Sequence, residues 1–501
     1  MFSASETPVI ATILLVAVGI LGWGFYKAKP YGKLGLLSWL QSVVLMIPWL
    51  VFFGLFAAGI YVNIAGILLI IMVATSIYIY LGRQLRAEGR HKVLQQNADQ
   101  RSLTSQSQEK KQQRDKEEST EAPSQLQPKL ISIPGEDLNS IKGIFGIDTF
   151  FVTNTTAYLE GAIFEGNLRG EPGKTHNILS NTLKKRFDEK YRLFLVENRD
   201  GKPVVIVLPS KNDPQPMTFT QQVFAGILFI ATIITCMEVV GIILYFDLFS
   251  NPRRYMETIP IAVGVMVILL AHEIAHKIVA NWYQVRLSLP YFLPAVQIGS
   301  FGAITRFESL LPNRKVLFDI AIAGPAVGGI LSLVILVIGL LLSHPGSLFQ
   351  LPNTFFQGSI LVGSLARVIL GSNVQSSVVD VSPLVIIGWL GLVISAINLM
   401  PAGHLDGGRI VQAIYGRKTA NRTTFATVIL LALISLGNSL AMYWVIVILF
   451  LQRNLERPSL DEISEPDDAR AVLGLLALFL MIITLLPLTP SLAGRLGLGG
   501  S

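Results

Sequence analysis

The chain has 501 residues, of which 51% are hydrophobic and 15% are charged, and its mean hydropathy is +0.55. This composition excludes a soluble globular enzyme and is typical of membrane proteins with several spans. The net charge of +7 requires no nucleic-acid partner, because the basic residues mostly flank apolar segments, as the positive-inside rule predicts. The single cysteine, Cys236, excludes a disulfide framework and a cysteine-based zinc site.

The N-terminal part of the chain changes composition abruptly. Apolar segments at 8–26, 38–59 and 62–82 predict transmembrane helices within residues 1–82. No basic region precedes the first segment, so we interpret it as a retained helix and not as a cleaved signal or transit peptide. Residues 83–129 are rich in Gln, Lys, Arg, Glu and Ser, and this composition predicts a charged flexible linker.

Residues 130–217 have the mixed pattern of a globular domain. Helical patterns alternate with strand-like runs, and two of these runs, YRLFLVEN and PVVIVLP, are joined by the turn RDGK. We therefore predict a small α+β domain. Basic residues near the helix ends place this domain on the cytoplasmic side of the membrane.

Apolar segments then resume and form a membrane core over residues 218–490, followed by a C-terminal tail at 491–501. The segments lie at about 223–246, 259–282, 316–342, 384–401, 423–437, 438–452 and 471–487. The two that meet near Gly437 are either a tight hairpin or one kinked helix. The predicted fold is a polytopic α-helical membrane protein with about 8–10 transmembrane helices and a small cytoplasmic α+β domain.

The segment over residues 261–283 contains the sequence HEIAH, with His272, Glu273 and His276. Ionisable groups in mid-membrane cost at least a few kcal/mol unless they are paired or line a wet cavity. Positions four apart share one helix face, so the two histidines can bind a single ion with Glu273 beside them. The alternative is that the histidines hydrogen-bond neighbouring helices, but Glu273 would then need a buried partner of its own.

A catalytic zinc site needs a third protein ligand. The best candidate segment is NLMPAGHLDGGRI at 398–410, where Pro401 and the glycines stop a helix and leave Asp406 in the break. We favour Asp406 because of its Gly-Gly context. His404 is the alternative ligand, and otherwise has a supporting or surface role. Asn398 either donates to a developing oxyanion or bonds a neighbouring helix.

Residues 284–315 are too polar and too rich in Gly and Pro for a spanning helix. The alternation in GSFGAITRFESL is compatible with a β-hairpin or re-entrant strand at the membrane face, and equally with an ordinary surface loop. A face of small residues follows, which lets helices approach closely. It comprises Ala321, Ala323, Gly324, Ala326, Gly328 and Gly329.

These motifs resemble the site-2 protease family of intramembrane zinc metalloproteases. The resemblance rests on HEIAH in an apolar helix and on the later pattern N-x-x-P-x-x-x-L-D-G-G. The segments GNLRGEPGK, GSFGAITRFESLLPNRK and NLMPAGHLDGGR are similar to the cyanobacterial and chloroplast branch, called ethylene-dependent gravitropism-deficient and yellow-green proteins in plants. The resemblance covers about residues 130–490.

The resemblance implies that His272, His276 and Asp406 bind one zinc ion per chain and that Glu273 is the catalytic carboxylate. It implies hydrolysis of peptide bonds in or near transmembrane helices of membrane-protein substrates, such as single-span regulators, within the lipid bilayer. Nucleic acid is not an expected partner, and the sequence predicts no oligomeric state.

Two other functions use the same residues. A transporter could move protons or metal ions past the buried His, Glu and Asp side chains, although the sequence has no evident internal repeat. A non-catalytic scaffold is disfavoured because all four residues are present, with His404 where the family commonly has Gln. A cyanobacterial plasma or thylakoid membrane is favoured over a chloroplast membrane because no transit peptide is evident.

Overall fold

The structure is a computed structural model. It describes residues 21–57, parts of 70–84, 133–158, 160–198, 200–435, 439–449 and 454–488. The predicted linker at 83–129 and tail at 491–501 lie outside the described residues, apart from Gln84, as do most of the predicted spans at 8–26 and 62–82.

The described residues fall into two compact units. The first lies within Met1–Gln127 and Leu430–Val445, and the second lies within Pro128–Ile429 and Ile446–Ser501. In the first unit, helix α1 (Gly32–Ala57) begins six residues before the predicted span at 38–59, whose last two residues lie outside the described residues.

The second unit begins with a four-stranded antiparallel sheet, which we call the sheet domain (residues 133–217). The strands are β1 (Phe150–Tyr158), β2 (Gly161–Leu168), β3 (Tyr191–Glu197) and β4 (Pro203–Pro209), in the order β1-β2-β4-β3. Two helices accompany them, α2 (Gly135–Lys142) and α3 (Pro172–Phe187). Alternate residues of β3 are buried, and fully buried Phe150, Phe164 and Leu179 complete a common apolar core. The runs YRLFLVEN and PVVIVLP are therefore the paired strands β3 and β4.

Within the described residues, four helices are long and apolar enough to cross a membrane. They are α4 (Phe219–Ile243), α5 (Tyr255–Trp282), α6 (Arg314–Leu341) and α12 (Asp468–Leu485). In α5 the apolar stretch includes the preceding turn from Pro252. The predicted span at 384–401 is a helix of 16 residues, α9 (Pro383–Asn398). At 1.5 Å per residue it is about 24 Å long, shorter than a typical hydrocarbon core.

The predicted break after α9 is present. Helix α9 ends at Asn398, and α10 (Asp406–Ile434) begins at the aspartate, so residues 399–405 form an irregular connection. A non-helical Gly416 at φ 78° kinks α10, and α11 (Ser439–Val447) follows it. Residues 343–382, where the sequence predicts no span, contain further elements: β7 (Phe349–Pro352), α7 (Thr354–Gln357), α8 (Ile360–Leu370) and β8 (Val378–Val381).

The segment between α5 and α6 is a β-hairpin, so the surface-loop alternative is wrong. Its strands are β5 (Tyr291–Ala295) and β6 (Gly299–Ile304), and they pair antiparallel. A largely apolar strand (YFLPA) pairs here with a glycine-rich one (GSFGAI), and the two backbones satisfy each other's hydrogen bonds. The hairpin packs against α4 and leads directly into the segment that precedes α6.

Helices α6 and α9 cross at close range because glycines lie at the contact. A Cβ atom added to Gly388 would lie 2.4 Å from the backbone nitrogen of Leu336. One added to Gly339 would lie 2.5 Å from the backbone nitrogen of Val385. Side chains at these two positions would force the helices apart.

We expect Gly388→Ala to lower the apparent melting temperature in detergent, since overpacking of this kind costs about 1–3 kcal/mol. The matched control is Gly226→Ala in α4, where an added Cβ meets nothing within 4 Å. This control should unfold at or slightly above the wild-type temperature. Equal melting temperatures for the two variants would contradict the close crossing.

Candidate metal centre

Helix α5 carries both motif histidines on one buried face. His272 is 7% exposed and His276 is 3% exposed. Their Nε2 atoms lie 3.1 Å apart, as expected for residues one helical turn from each other. Two imidazole nitrogens therefore face one another in the interior of the second unit.

The aspartate at the start of α10 completes a triangle of donor atoms. Asp406 Oδ2 lies 3.1 Å from His272 Nε2 and 3.4 Å from His276 Nε2. Asp406 is 6% exposed, and it reaches the histidines because the chain breaks between α9 and α10. The structure thus brings the two histidines together with a residue that is distant in sequence, since 134 positions separate His272 from Asp406.

This donor set fits zinc. Zinc–nitrogen and zinc–oxygen bonds of about 2.0–2.2 Å in a tetrahedron place neighbouring donors about 3.3 Å apart. The three separations of 3.1, 3.1 and 3.4 Å match that spacing. The contacts with Asp406 on α10 would also satisfy the alternative in which the histidines bond a neighbouring helix, and it is the nearly equal spacing of the three donor atoms that favours a metal.

Helix α6 supports the histidines through its backbone. His276 Nδ1 lies 2.6 Å from the carbonyl oxygen of Ile320, which can accept its N–H and leave Nε2 as the ligand atom. Gly324 lies against both rings, and a Cβ atom there would be 2.2 Å from His276 Nε2 and 2.6 Å from His272 Nε2. Gly324, part of the small-residue face predicted from the sequence, thus leaves the space in which the two rings meet.

The carboxylate of Glu273 is held by a residue that the sequence did not single out. Thr305, just after β6, donates its hydroxyl to Glu273 Oε2 at 2.7 Å. The other oxygen, Oε1, lies 4.0 Å from His272 Nε2. The buried partner that Glu273 requires is therefore supplied by the hairpin.

A buried ion pair lies behind this threonine. Arg409 Nη2 donates to the carbonyl oxygen of Thr305 at 2.5 Å and to Glu456 Oε1 at 2.6 Å. Its Nη1 lies 3.8 Å from Asp406 Oδ1. Sequence reasoning missed Arg409 and Glu456, which are 47 residues apart and share no motif, although Arg409 directly follows LDGG.

Asn398 and His404 line a small cavity beside the donor triangle, with Glu273, His276 and Asp406. Its volume of about 10 Å³ is room for roughly one water. Asn398 is buried, and its Nδ2 donates to the carbonyl oxygen of Ile394 in its own helix at 3.0 Å. His404 is half-buried, and its ring makes no hydrogen bond or ion pair with any residue that the structure describes.

The comparisons with known proteins point to one family. Residues 260–437 match peptidase family M50, and residues 139–216 match the EGY3 middle domain. No solved structure matches this chain significantly.

The matching relatives are plant proteins named as zinc metalloproteases or metallopeptidases. Probable zinc metalloprotease EGY2, chloroplastic, of Arabidopsis thaliana is 38% identical over 73% of this chain and 67% of its own length. Probable zinc metalloprotease EGY1, chloroplastic, of the same plant is 37% identical over 72% of this chain and 73% of its own length. Probable zinc metallopeptidase EGY3, chloroplastic, is 31% identical over 70% and 65% respectively.

These relatives correct one expectation and support another. The preference for a cyanobacterial membrane is wrong, because the relatives are chloroplastic proteins. That preference rested only on the lack of an evident transit peptide in the first residues of this sequence. The transporter alternative finds no support among them, and the resemblance inferred from HEIAH and LDGG is confirmed. The chain therefore belongs to peptidase family M50, the site-2 protease family, and is a zinc metalloprotease.

Proposed function

We propose that His272, His276 and Asp406 hold one zinc ion per chain and that Glu273 is the general base and acid of peptide hydrolysis. The observation that carries this proposal is the convergence of two Nε2 atoms and one carboxylate oxygen within 3.4 Å of each other. The bound zinc supplies Lewis-acid activation of water and of the scissile carbonyl group.

The roles of the protein groups follow from their positions. Glu273 takes a proton from the attacking water and returns it to the leaving amine, since its carboxylate lies beside the donor triangle. Thr305 fixes one oxygen of this carboxylate and leaves the other to face the site. Among the described residues, the Asn398 amide bonds only the carbonyl oxygen of Ile394, so its second N–H can donate to the substrate or to the developing oxyanion.

The substrates are membrane proteins, and we propose single-span regulators that are cut in or near their transmembrane helix. A helix hides its peptide bonds in hydrogen bonds, so a stretch of substrate must unwind before it is cleaved. Strand β6 pairs with β5 on one edge and ends next to Thr305, which makes it a suitable template for the unwound stretch. Gly, Pro or Asn near the scissile bond should favour cleavage for the same reason.

The four candidate spans and the apolar helices α8 and α9 fit a polytopic arrangement. We propose about 8–10 transmembrane helices in the whole chain, with the sheet domain on the cytoplasmic or stromal side. The starts of α4 and α6 and the ends of α5 and α9 would then face that side together with the metal centre.

Variants of the site residues should separate zinc binding from chemistry in a cleavage assay with a single-span substrate in detergent. Glu273→Gln should retain zinc and lose at least about a hundredfold in kcat. Asp406→Asn should lose both zinc and cleavage, because it removes a charged ligand. His404→Gln is the matched control and should keep both. Full zinc occupancy in Asp406→Asn together with zinc loss in His404→Gln would reassign the third ligand.

Thr305→Val removes the hydroxyl group at nearly constant volume, so Glu273 loses the bond that orients it. A hydrogen bond to a charged group is worth about 1.5–3 kcal/mol, so kcat should fall roughly tenfold to hundredfold. Zinc content and KM should change little. Thr305→Ser keeps the hydroxyl and should restore most of kcat, whereas equal losses in both variants would show that the methyl group, and not the hydrogen bond, matters.

A further inference from the structure

A second cavity adjoins the metal centre. It has a volume of about 510 Å³, far larger than the small cavity at the donor triangle. Ile304 and His404 line both cavities, so the two are neighbours. These two residues thus form a wall common to both cavities.

The larger cavity lies where several helices begin or end. Its walls come from the segment 304–311 before α6, from residues 454–458 before α12 and from residues 214–215 before α4. Met217 N donates to Glu308 Oε1 at 2.8 Å, which ties the start of α4 to the first of these segments. Arg470 pairs with Asp319 at 2.7 Å, which ties the starts of α12 and α6 together. The cavity is therefore at the ends of the apolar helices and not within them.

The charged groups that line this cavity are mostly basic. Arg306 and Arg457 are exposed, and His404 lies between the cavity and the metal centre. The carboxylate among the lining residues belongs to Glu456, and it is already bound by Arg409. The Arg306 guanidinium makes no ion pair or hydrogen bond within the part of the chain that the structure describes, so it is available to a ligand.

Both arginines are attached to rigid parts of the site. The backbone of Arg306 donates to Ser288 Oγ and accepts from Ser288 N, each at 2.9 Å, and Arg306 directly follows Thr305. Arg457 directly follows Glu456, and its Nη1 donates to the carbonyl oxygen of Asn212 at 3.2 Å. That single bond leaves most of the donors of the Arg457 guanidinium group free.

We propose that this cavity binds the polar segment that flanks a substrate's transmembrane helix, and that Arg306 and Arg457 select segments carrying Asp or Glu near the scissile bond. The inference rests on the proposed function, because the occupant must emerge from the metal centre. Arginine suits this role because its planar group binds a carboxylate through two parallel hydrogen bonds. A flank rich in Lys would meet two like charges and no free carboxylate.

The test compares two single-span substrates that differ only in a short run of Glu or Lys in this flank. Wild-type protein in detergent should cleave the Glu substrate with a kcat/KM roughly tenfold higher or more, since each partly exposed pair adds a few-fold. The preference should shrink as the salt concentration rises. The double variant Arg306→Glu/Arg457→Glu should reverse the preference and favour the Lys substrate.

Two further variants test whether the preference depends on Arg306 and Arg457 in particular. Arg169→Glu is the matched control, because Arg169 is exposed in the sheet domain and lines neither the larger cavity nor the small cavity at the donor triangle. It should keep the wild-type preference. Arg306→Gln/Arg457→Gln should abolish the preference without reversing it, and this milder variant serves if the charge reversal fails to fold or to retain zinc.

The possible outcomes distinguish a failure of the inference about this cavity from a failure of the proposed protease function. Equal cleavage of both substrates by wild type, or an unchanged preference in the glutamine variant, would contradict the proposed selection of acidic flanks by the two arginines. The proposed protease function would not be affected by either result. Cleavage of neither substrate by zinc-loaded wild type would overturn the proposed function and the inference together. Reversal by the charge swap, with the control unchanged, is the result that supports the proposal.

Discussion

Two imidazoles and two carboxylates lie buried close together on mainly apolar helices, and the arrangement of the second unit depends on satisfying them. A lone buried carboxylate or an unpaired imidazole would be costly there. In the proposed site, the convergence of His272, His276 and Asp406 would let one divalent cation supply the missing counter-charge. Several features of the backbone serve this convergence: the break before α10, the glycine of α6 beneath the rings, and the carbonyl oxygen that holds His276.

A second set of polar groups holds Glu273, the proposed catalytic carboxylate, and connects three distant segments. Glu273 is bonded to Thr305, whose carbonyl oxygen accepts from Arg409, and Arg409 pairs with Glu456. Buried pairs of this kind often add little net stability, but breaking one leaves an uncompensated charge. The segment after Glu456 continues toward the sheet domain, since Leu460 O accepts from Leu195 N at 2.8 Å. The sheet domain is thus joined by backbone hydrogen bonds to the segment that supports the metal centre.

The sequence predicted the parts of the site that depend on local spacing. HEIAH places two nitrogens on one helix face, and the Pro and Gly residues after Asn398 predict the break in which Asp406 lies. Thr305, Arg409 and Glu456 escaped prediction because their contacts span tens of residues and follow no helical or strand period. The hairpin over β5 and β6 stayed ambiguous for a related reason, since the alternation in GSFGAITRFESL suits a strand and a polar loop equally. The elements of 343–382 were missed because short strands and helices there give weak periodic signals.

The most direct test of the metal centre is X-ray absorption spectroscopy at the zinc edge of the purified full-length chain. The proposed ligand set predicts one zinc per chain with four nitrogen or oxygen ligands at about 2.0–2.2 Å. Outer-shell scattering should fit two imidazoles, from His272 and His276, with a carboxylate and a water completing the shell. A spectrum that requires three imidazoles would place His404 on the metal in the position assigned to Asp406. A shell of six oxygen ligands would contradict binding by the two histidines altogether.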